Sequence, residues 1–202
     1  MMEAYPAVIL AGGLARRMGG GDKPLRPWGG GTLLDAVVAR LHPQAAPVLL
    51  NANGDPARFA RFGLPVLPDP MEGNPGPLAG VLAAVEWAAS QGHAQVLTVP
   101  GDSPFLPGNL VARLAAGAAA AGAPVCCACS GGRVHPVTAL WSTALGPALR
   151  RVLAAGNFRV EPFATAQGLA TVSWDATPLD PFLNINTPGD LVDAALAGAC
   201  PP

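Results

Sequence analysis

Short apolar runs that alternate with stretches of helical length constrain this chain more than any other feature. A run of about four to eight apolar residues followed by an amphipathic segment is buried most readily as a parallel sheet covered by helices. The pattern predicts strands near Ala7 to Ala11, Pro47 to Ala52, Val66 to Leu67, Gln95 to Val99, Pro124 to Cys129 and Val134 to Trp141. Helices are expected over Leu33 to Leu41, Leu78 to Ser90, Leu110 to Ala121 and Ala144 to Ala154. Thr32 and Asp35 form a variant capping box ahead of the first of these. A last helix is expected from Thr187, with Thr as N-cap, Pro188 in the first helical position and Asp190 in the first turn. The region Asn157 to Asp180 is the least regular, with short strands expected around Leu169 to Trp174 and Phe182 to Ile185. The 25 glycines and 23 prolines sit between the apolar runs and read as turns. The expected fold is therefore α/β, a three-layer αβα arrangement with a mostly parallel sheet. At 202 residues, with no repeat and no linker, one domain spanning 1–202 is the default.

Composition removes several function classes. A formal charge of −1 and a pI near 6.3 leave no global basic field for a nucleic acid or an anionic membrane. The longest stretch of low polarity, Leu114 to Ala128, is interrupted by Pro124 and is too short to span a bilayer. The N-terminus shows no basic segment followed by a cleavable apolar one, so a cytoplasmic setting with reduced thiols is expected. Cys126, Cys127 and Cys129 lie in an apolar run without a paired CxxC partner, which reads as core packing rather than zinc. Eleven of the twelve cations are arginines, and the one lysine is Lys23.

In open α/β sheets ligands bind beyond the carboxyl ends of the strands, which directs attention to the residues that follow each strand. The first strand opens into Leu10-Ala11-Gly12-Gly13 and continues through Arg16-Arg17-Met18-Gly19-Gly20-Gly21-Asp22-Lys23, a loop with five glycines and three cations. Such a loop turns backbone N–H groups and positive side chains onto phosphate oxygens. The Asp22-Lys23-Pro24 ending is not a Walker loop, and the glycine spacing is not the dinucleotide fingerprint. Asp102 follows the fourth apolar run, where a lone carboxylate suits Mg²⁺, which keeps waters and shares its coordination with substrate phosphates.

These residues resemble the molybdenum cofactor guanylyltransferases, small relatives of the nucleotide-sugar pyrophosphorylases. The likeness rests on L-A-G-G-x-x-R-R-M-G-G-x-D-K from Leu10, on Asp69 ahead of Gly76-Pro77-Leu78-Ala79-Gly80, and on Pro100-Gly101-Asp102-Ser103-Pro104. It continues in His135-Pro136-Val137 and in Asn184-Ile185-Asn186-Thr187-Pro188, so that it spans nearly the whole chain. The resemblance implies a Rossmann-like nucleotidyltransferase fold. It also implies transfer of GMP from GTP to the terminal phosphate of molybdenum-molybdopterin, with pyrophosphate released and the guanine dinucleotide form of the cofactor produced.

By the same resemblance Leu10, Ala11, Gly12, Lys23, Asn51, Asp69 and Asp102 bind GTP, Asp102 holds Mg²⁺, and Lys23 and Asp102 carry the catalysis. Gly13, Arg17, Gly20, Asn184 and Asn186 are further candidates for phosphate or acceptor contacts. On the residues alone, Asn51 also fits the turn Asn51-Ala52-Asn53-Gly54, and Asn186 also fits a helix cap. His135 reads as a strand-end structural residue ahead of a pterin contact, and not as a general base. Trp28, Trp87, Trp141 and Trp174 read as core or interface anchors. A cytidylyltransferase making the CMP form of the cofactor is the nearest rival, although Gly12-Gly13 after Ala11 favours the guanine branch. A nucleotide-binding regulator without turnover is the other, and Lys23 with Asp102 argues against it. Expected partners are GTP, molybdenum-molybdopterin, cofactor-delivering proteins, and apo-molybdoenzymes or their chaperones.

Overall fold

The computed structural model describes residues 5–12, 22–71, 76–185 and 190. In chain order the strands are β1 (Ala7–Leu10), β2 (Pro27–Trp28), β3 (Gly31–Thr32), β4 (Val48–Asn51), β5 (Val66–Leu67), β6 (Gln95–Pro100), β7 (Val125–Ser130), β8 (Arg133–Ser142) and β9 (Leu169–Trp174). The helices are α1 (Leu33–Leu41), α2 (Pro77–Ser90), α3 (Leu110–Ala121), α4 (Gly146–Ala154) and α5 (Val160–Ala166). Apart from the small β2–β3 hairpin, the strands form one sheet in the order β5-β4-β1-β6-β8-β7-β9. Four of its six neighbouring pairs are parallel, and β8 alone runs against both of its neighbours.

The expected layering follows from where successive side chains go. Along β1, Ala7 and Ile9 enter one core while Val8 and Leu10 enter the other. The first core is closed by α1 through Leu34, Val37 and Leu41 and by α3 through Leu110, Leu114 and Ala118. The second is closed by α2 through Leu78, Val81 and Val85, by α4 through Leu149 and Leu153, and by α5 through Phe163. The fold is thus a three-layer α/β arrangement around a mostly parallel sheet. Cys126 and Cys127 are fully buried in opposite cores, which keeps the two sulfurs from converging, and burial holds the Cys127 thiol far above its ordinary range. Among the described residues no helix is long and apolar enough to cross a membrane.

Several expectations require correction. Phe182 to Ile185 is not a strand, and its backbone instead folds back so that Ile185 N–H donates to the Asp102 carbonyl at 3.0 Å. The irregular region contains α5, whose seven residues bury Val160, Phe163 and Ala164, too short a face for a helical period to stand out. The helix expected near Ala144 begins as a 3₁₀ turn, Thr143–Leu145, before continuing as α4. The helix start at Thr187 lies outside the described residues.

At the head of α1 the sequence-level capping signal is realised in full. Thr32 N–H and Oγ1–H both donate to Asp35 Oδ2 at 2.7 Å, and Asp35 N–H donates to Thr32 Oγ1 at 3.3 Å. Burial raises the Asp35 pKa, but hydrogen bonds from Arg61 and Thr32 outweigh it and hold the carboxyl below its ordinary 3.8. Thr32→Ala is expected to cost about 1 kcal/mol in urea denaturation. Because the folded pKa is depressed, the stability that Asp35 carries is present above pH 3.8 and is lost as pH falls through the lower folded value. The stability gap between the wild type and Asp35→Asn should therefore narrow on acidification below pH 3.8, and a gap independent of pH would contradict this balance.

Candidate active site

β1 is hydrogen-bonded on both sides, to β4 and to β6, so the residues that leave their carboxyl ends lie together. Leu10 pairs with Asn51 on one side and with Pro100 on the other. Just beyond, Ala11 N–H donates to Asn51 O at 2.9 Å and Gly101 N–H donates to Leu10 O at 3.0 Å. This edge opens into a cavity of about 550 Å³ whose lining includes Leu10, Gly12, Lys23, Asp102, His135 and Asn184.

Lys23 begins a 3₁₀ turn, Lys23–Leu25, closed by Arg26 N–H donating to Lys23 O at 3.1 Å. Its neighbour Pro24 is buried against Gly101, so tightly that a β-carbon on Gly101 would lie 2.9 Å from Pro24 Cγ. This packing sets the Lys23 ammonium on the Asp102 carboxylate through Oδ2, with the two side chains only 18% and 14% exposed. Asp102 Oδ1 has no hydrogen-bond partner among the described residues, and no buried side-chain oxygen there lacks one, so Oδ1 is accessible and Asp102 lines the cavity. Asp102 is not a helix cap, since α3 starts from Asn109. Asn184 joins it through Ser103, a fully buried residue whose Oγ–H donates to Asn184 Oδ1 at 2.9 Å.

A second cluster stands at the ends of β4 and β5. Asn51 Nδ2 donates to Leu67 O at 3.1 Å and to Asp69 Oδ1 at 2.9 Å, while Asn53 Nδ2 donates to Asp69 Oδ2 at 2.7 Å. Asp69 N–H returns a bond to Asn53 Oδ1 at 2.8 Å. Each carboxylate oxygen of Asp69 keeps a second lone pair, so the cluster presents acceptors, while both amide donors of Asn51 are used internally. In the sequence Asn53 is only part of the turn Asn51-Ala52-Asn53-Gly54. Its role depends on Asp69, 16 residues later, and no local signal announces it. Between the clusters lies Gly80 of α2, where a β-carbon would meet Asn51 Oδ1 at 2.3 Å and Leu10 Cδ2 at 3.1 Å. Asn51 and Asp69 do not line the cavity beside Lys23. They flank it, separated by this contact.

Gly13, Arg17, Gly20 and Asn186 lie outside the described residues. Asp22, just before Lys23, pairs with Arg58 Nε at 2.7 Å, and Arg58 Nη2 also donates to Asn53 O at 2.5 Å, so Arg58 ties Asp22 to Asn53. Trp141 is fully buried and Trp28 nearly so, as expected for core anchors, whereas Trp174 sits edge-on to Phe182 beneath Arg113. His135, near the start of β8, is held by Ser130, a residue for which the sequence offered no signal.

The family comparisons make the chain a nucleotidyltransferase. The structure is similar to that of 2-C-methyl-D-erythritol 4-phosphate cytidylyltransferase from Thermus thermophilus, with a TM-score of 0.65 and 25% identity over 98% of this chain and 100% of the other. It is also similar to molybdopterin-guanine dinucleotide biosynthesis protein A from Archaeoglobus fulgidus, with a TM-score of 0.77 and 20% identity over 96% and 99% of the two chains. The family model of the MobA-like NTP transferase domain matches residues 7–167. A curated molybdenum cofactor guanylyltransferase of Rhodopseudomonas palustris (strain BisB5) is 54% identical over 194 residues, which is 95% of this chain and 92% of that protein. The chain belongs to the molybdenum cofactor guanylyltransferase family of MobA-like NTP transferases.

Gly80→Ala tests how closely α2 approaches β4. Alanine favours the helix by about 1 kcal/mol over glycine, but its β-carbon must displace Asn51, and forced overpacking costs about 1–3 kcal/mol. A net loss of urea stability is expected, with Asn51→Ala in the same chain recovering part of it. A stabilised Gly80→Ala variant would contradict the contact.

Proposed function

We propose that the chain transfers GMP from GTP to the terminal phosphate of molybdenum-molybdopterin, releasing pyrophosphate and forming the guanine dinucleotide form of the cofactor. The observation that carries this reading is the Lys23–Asp102 pair at the ligand edge of a chain about half identical to molybdenum cofactor guanylyltransferases. Residues 1–202 work as one unit in this proposal, in the cytoplasm, with hand-over from cofactor-delivering proteins and to apo-molybdoenzymes or their chaperones.

Nucleotidyl transfer depends chiefly on positioning and on stabilising charge as pyrophosphate departs. Backbone groups of Leu10, Ala11 and Gly12 hold the nucleotide at the edge of β1, and Lys23 supplies a compact positive charge to its phosphates. Before nucleotide arrives, Lys23 and Asp102 compensate one another. Once the triphosphate is in the cavity, the ammonium turns to phosphate oxygens and Asp102 is freed. One carboxylate with an open oxygen fits Mg²⁺, which takes one or two protein carboxylates together with phosphates and waters. Bound at Asp102, Mg²⁺ would neutralise charge at the α-phosphate. Guanine offers adjacent N1–H and N2–H donors, and the unused lone pairs of Asp69, steadied by Asn51 and Asn53, suit them.

Purified protein supplied with Mg²⁺ and molybdenum-molybdopterin should release pyrophosphate from GTP much faster than from CTP. Preference for CTP would move the chain to the cytidylyl branch, and release from neither would leave a binding protein. Asp102→Ala should lower turnover about 10²–10³-fold while weakening nucleotide binding far less. Lys23→Arg should not restore the rate lost in Lys23→Ala, because a planar fork does not replace a rotatable point charge. Full rescue would show that charge alone suffices.

A further inference from the structure

The chain passes from β7 to β8 through Gly131 and Gly132, whose φ values of 53° and 77° suit a two-residue hairpin turn. Pairing runs Ser130↔Arg133, Cys129↔Val134, Ala128↔His135 and then resumes at Cys127↔Ala139, leaving Pro136, Val137 and Thr138 unmatched on β7. Pro136 has no N–H to give a ladder, consistent with a bulge at this point. The bulge is pinned from below: Thr98 Oγ1–H donates to Val137 O at 2.7 Å and accepts Trp141 Nε1–H at 2.8 Å. His135 through Thr138 therefore line the cavity that also holds Lys23 and Asp102.

The polar chain behind His135 sets its tautomer. Ser130 is only 2% exposed and has one hydroxyl proton. It donates that proton to Asp180 Oδ1 at 2.8 Å, because a carboxylate can only accept. The 2.7 Å contact between Ser130 Oγ and His135 Nε2 is consequently donated by the imidazole. Asp180 Oδ1 is fixed in turn by Phe182 N–H at 2.9 Å, and the Phe182 ring lies 4.9 Å from the imidazole. His135 Nδ1 is left with a lone pair and has no partner among the described residues. Since no buried side-chain nitrogen there lacks a partner, Nδ1 is accessible, and His135 lines the cavity.

We propose that His135 is a catalytic base toward the acceptor substrate, its Nδ1 taking the remaining proton of the acceptor's phosphate monoester in the cavity shared with Lys23 and Asp102. The proposal rests on the nucleotidyl-transfer reading above and adds a proton acceptor that reading does not contain. A phosphate monoester loses its second proton near pH 6 in water, and the negative charge of a neighbouring triphosphate makes that proton harder to lose. In the step, the phosphate O–H proton passes to Nδ1 and the O–H electron pair stays on oxygen. That oxygen attacks the α-phosphorus, the bond from the α-phosphorus to the bridging oxygen breaks, and its electron pair leaves with pyrophosphate. The imidazolium then gives its proton to water. Ser130 and Asp180 are positioning residues that keep the Nδ1 lone pair in place.

The charged surroundings make the proposal testable by pH. Burial lowers the His135 pKa from 6.5, Asp180 raises it and Arg133 lowers it, with Lys23 and Asp102 on the same cavity. The folded group stays neutral near neutral pH, and the acidic limb of kcat should report its protonation. Asp180→Asn retains an oxygen for Ser130 but removes the charge that raises the pKa, so the acidic limb should move to lower pH. A merely structural Asp180 would not move it. His135→Gln should lose about 10²-fold in kcat with GTP affinity little changed, and wild-type kcat with an unshifted pH profile in that variant would overturn the proposal. Imidazole ¹⁵N spectra of the wild type require no variant to fold, and the chain has three histidines to assign. Above the pKa His135 should carry its proton on Nε2, and protonation on Nδ1 instead would overturn the proposal. Absence of pyrophosphate release by the wild type sinks both readings, whereas release with an unaffected His135→Gln sinks this one alone.

Discussion

The ion pair between Lys23 and Asp102 joins residues 79 positions apart and is the contact around which the rest of the site is arranged. Both side chains are largely removed from water, so the pairing of their opposite charges offsets part of the cost of burying them. Their meeting is steric before it is electrostatic. Pro24 seats on a glycine that has no room for a β-carbon, and Gly101 is tied by its N–H to the last residue of β1. Pro24 and Lys23 are thereby seated at the carboxyl end of β6.

A single reversed strand explains how the other wall is furnished. Parallel strands deliver their last residues to the ligand edge, as β1, β4, β5 and β6 do. Because β8 runs the other way, it delivers its first residues there, and the bulge at Pro136 to Thr138 leans them over the cavity. The candidate site therefore has three parts set by strand direction and order. Asn51, Asn53 and Asp69 stand on the β4–β5 side, Lys23 and Asp102 stand at the centre, and His135 with Ser130 stands on the β8–β7 side.

How much was legible in the sequence varied with the range of the interaction. The capping box at Thr32 and Asp35 was readable because its partners are three residues apart. The strands flanking β1 were readable because a buried parallel strand is a continuous apolar run, and the burial of β1, β4 and the middle of β6 on both faces shows why. α5 escaped because seven residues hold too little of a helical period. Phe182 to Ile185 was apolar enough to pass for a strand, but Phe182 and Ile185 are buried individually, one against His135 and Trp174 and the other against Trp28 and Leu33, without a ladder.

The sequence by itself determined the layers and the kinds of chemistry available: which segments alternate between core and surface, where a glycine-rich loop leaves a strand, and that the one lysine stands in it. Only the tertiary structure decided which groups meet. Asn53 with Asp69, Ser103 with Asn184, and Asp180 with Ser130 are brought together by strand order across 16 to 81 residues. The reason is physical. Periodicity records what each residue buries, a local property of the backbone, whereas a hydrogen bond between distant segments depends on crossovers and packing that no single stretch of chain contains.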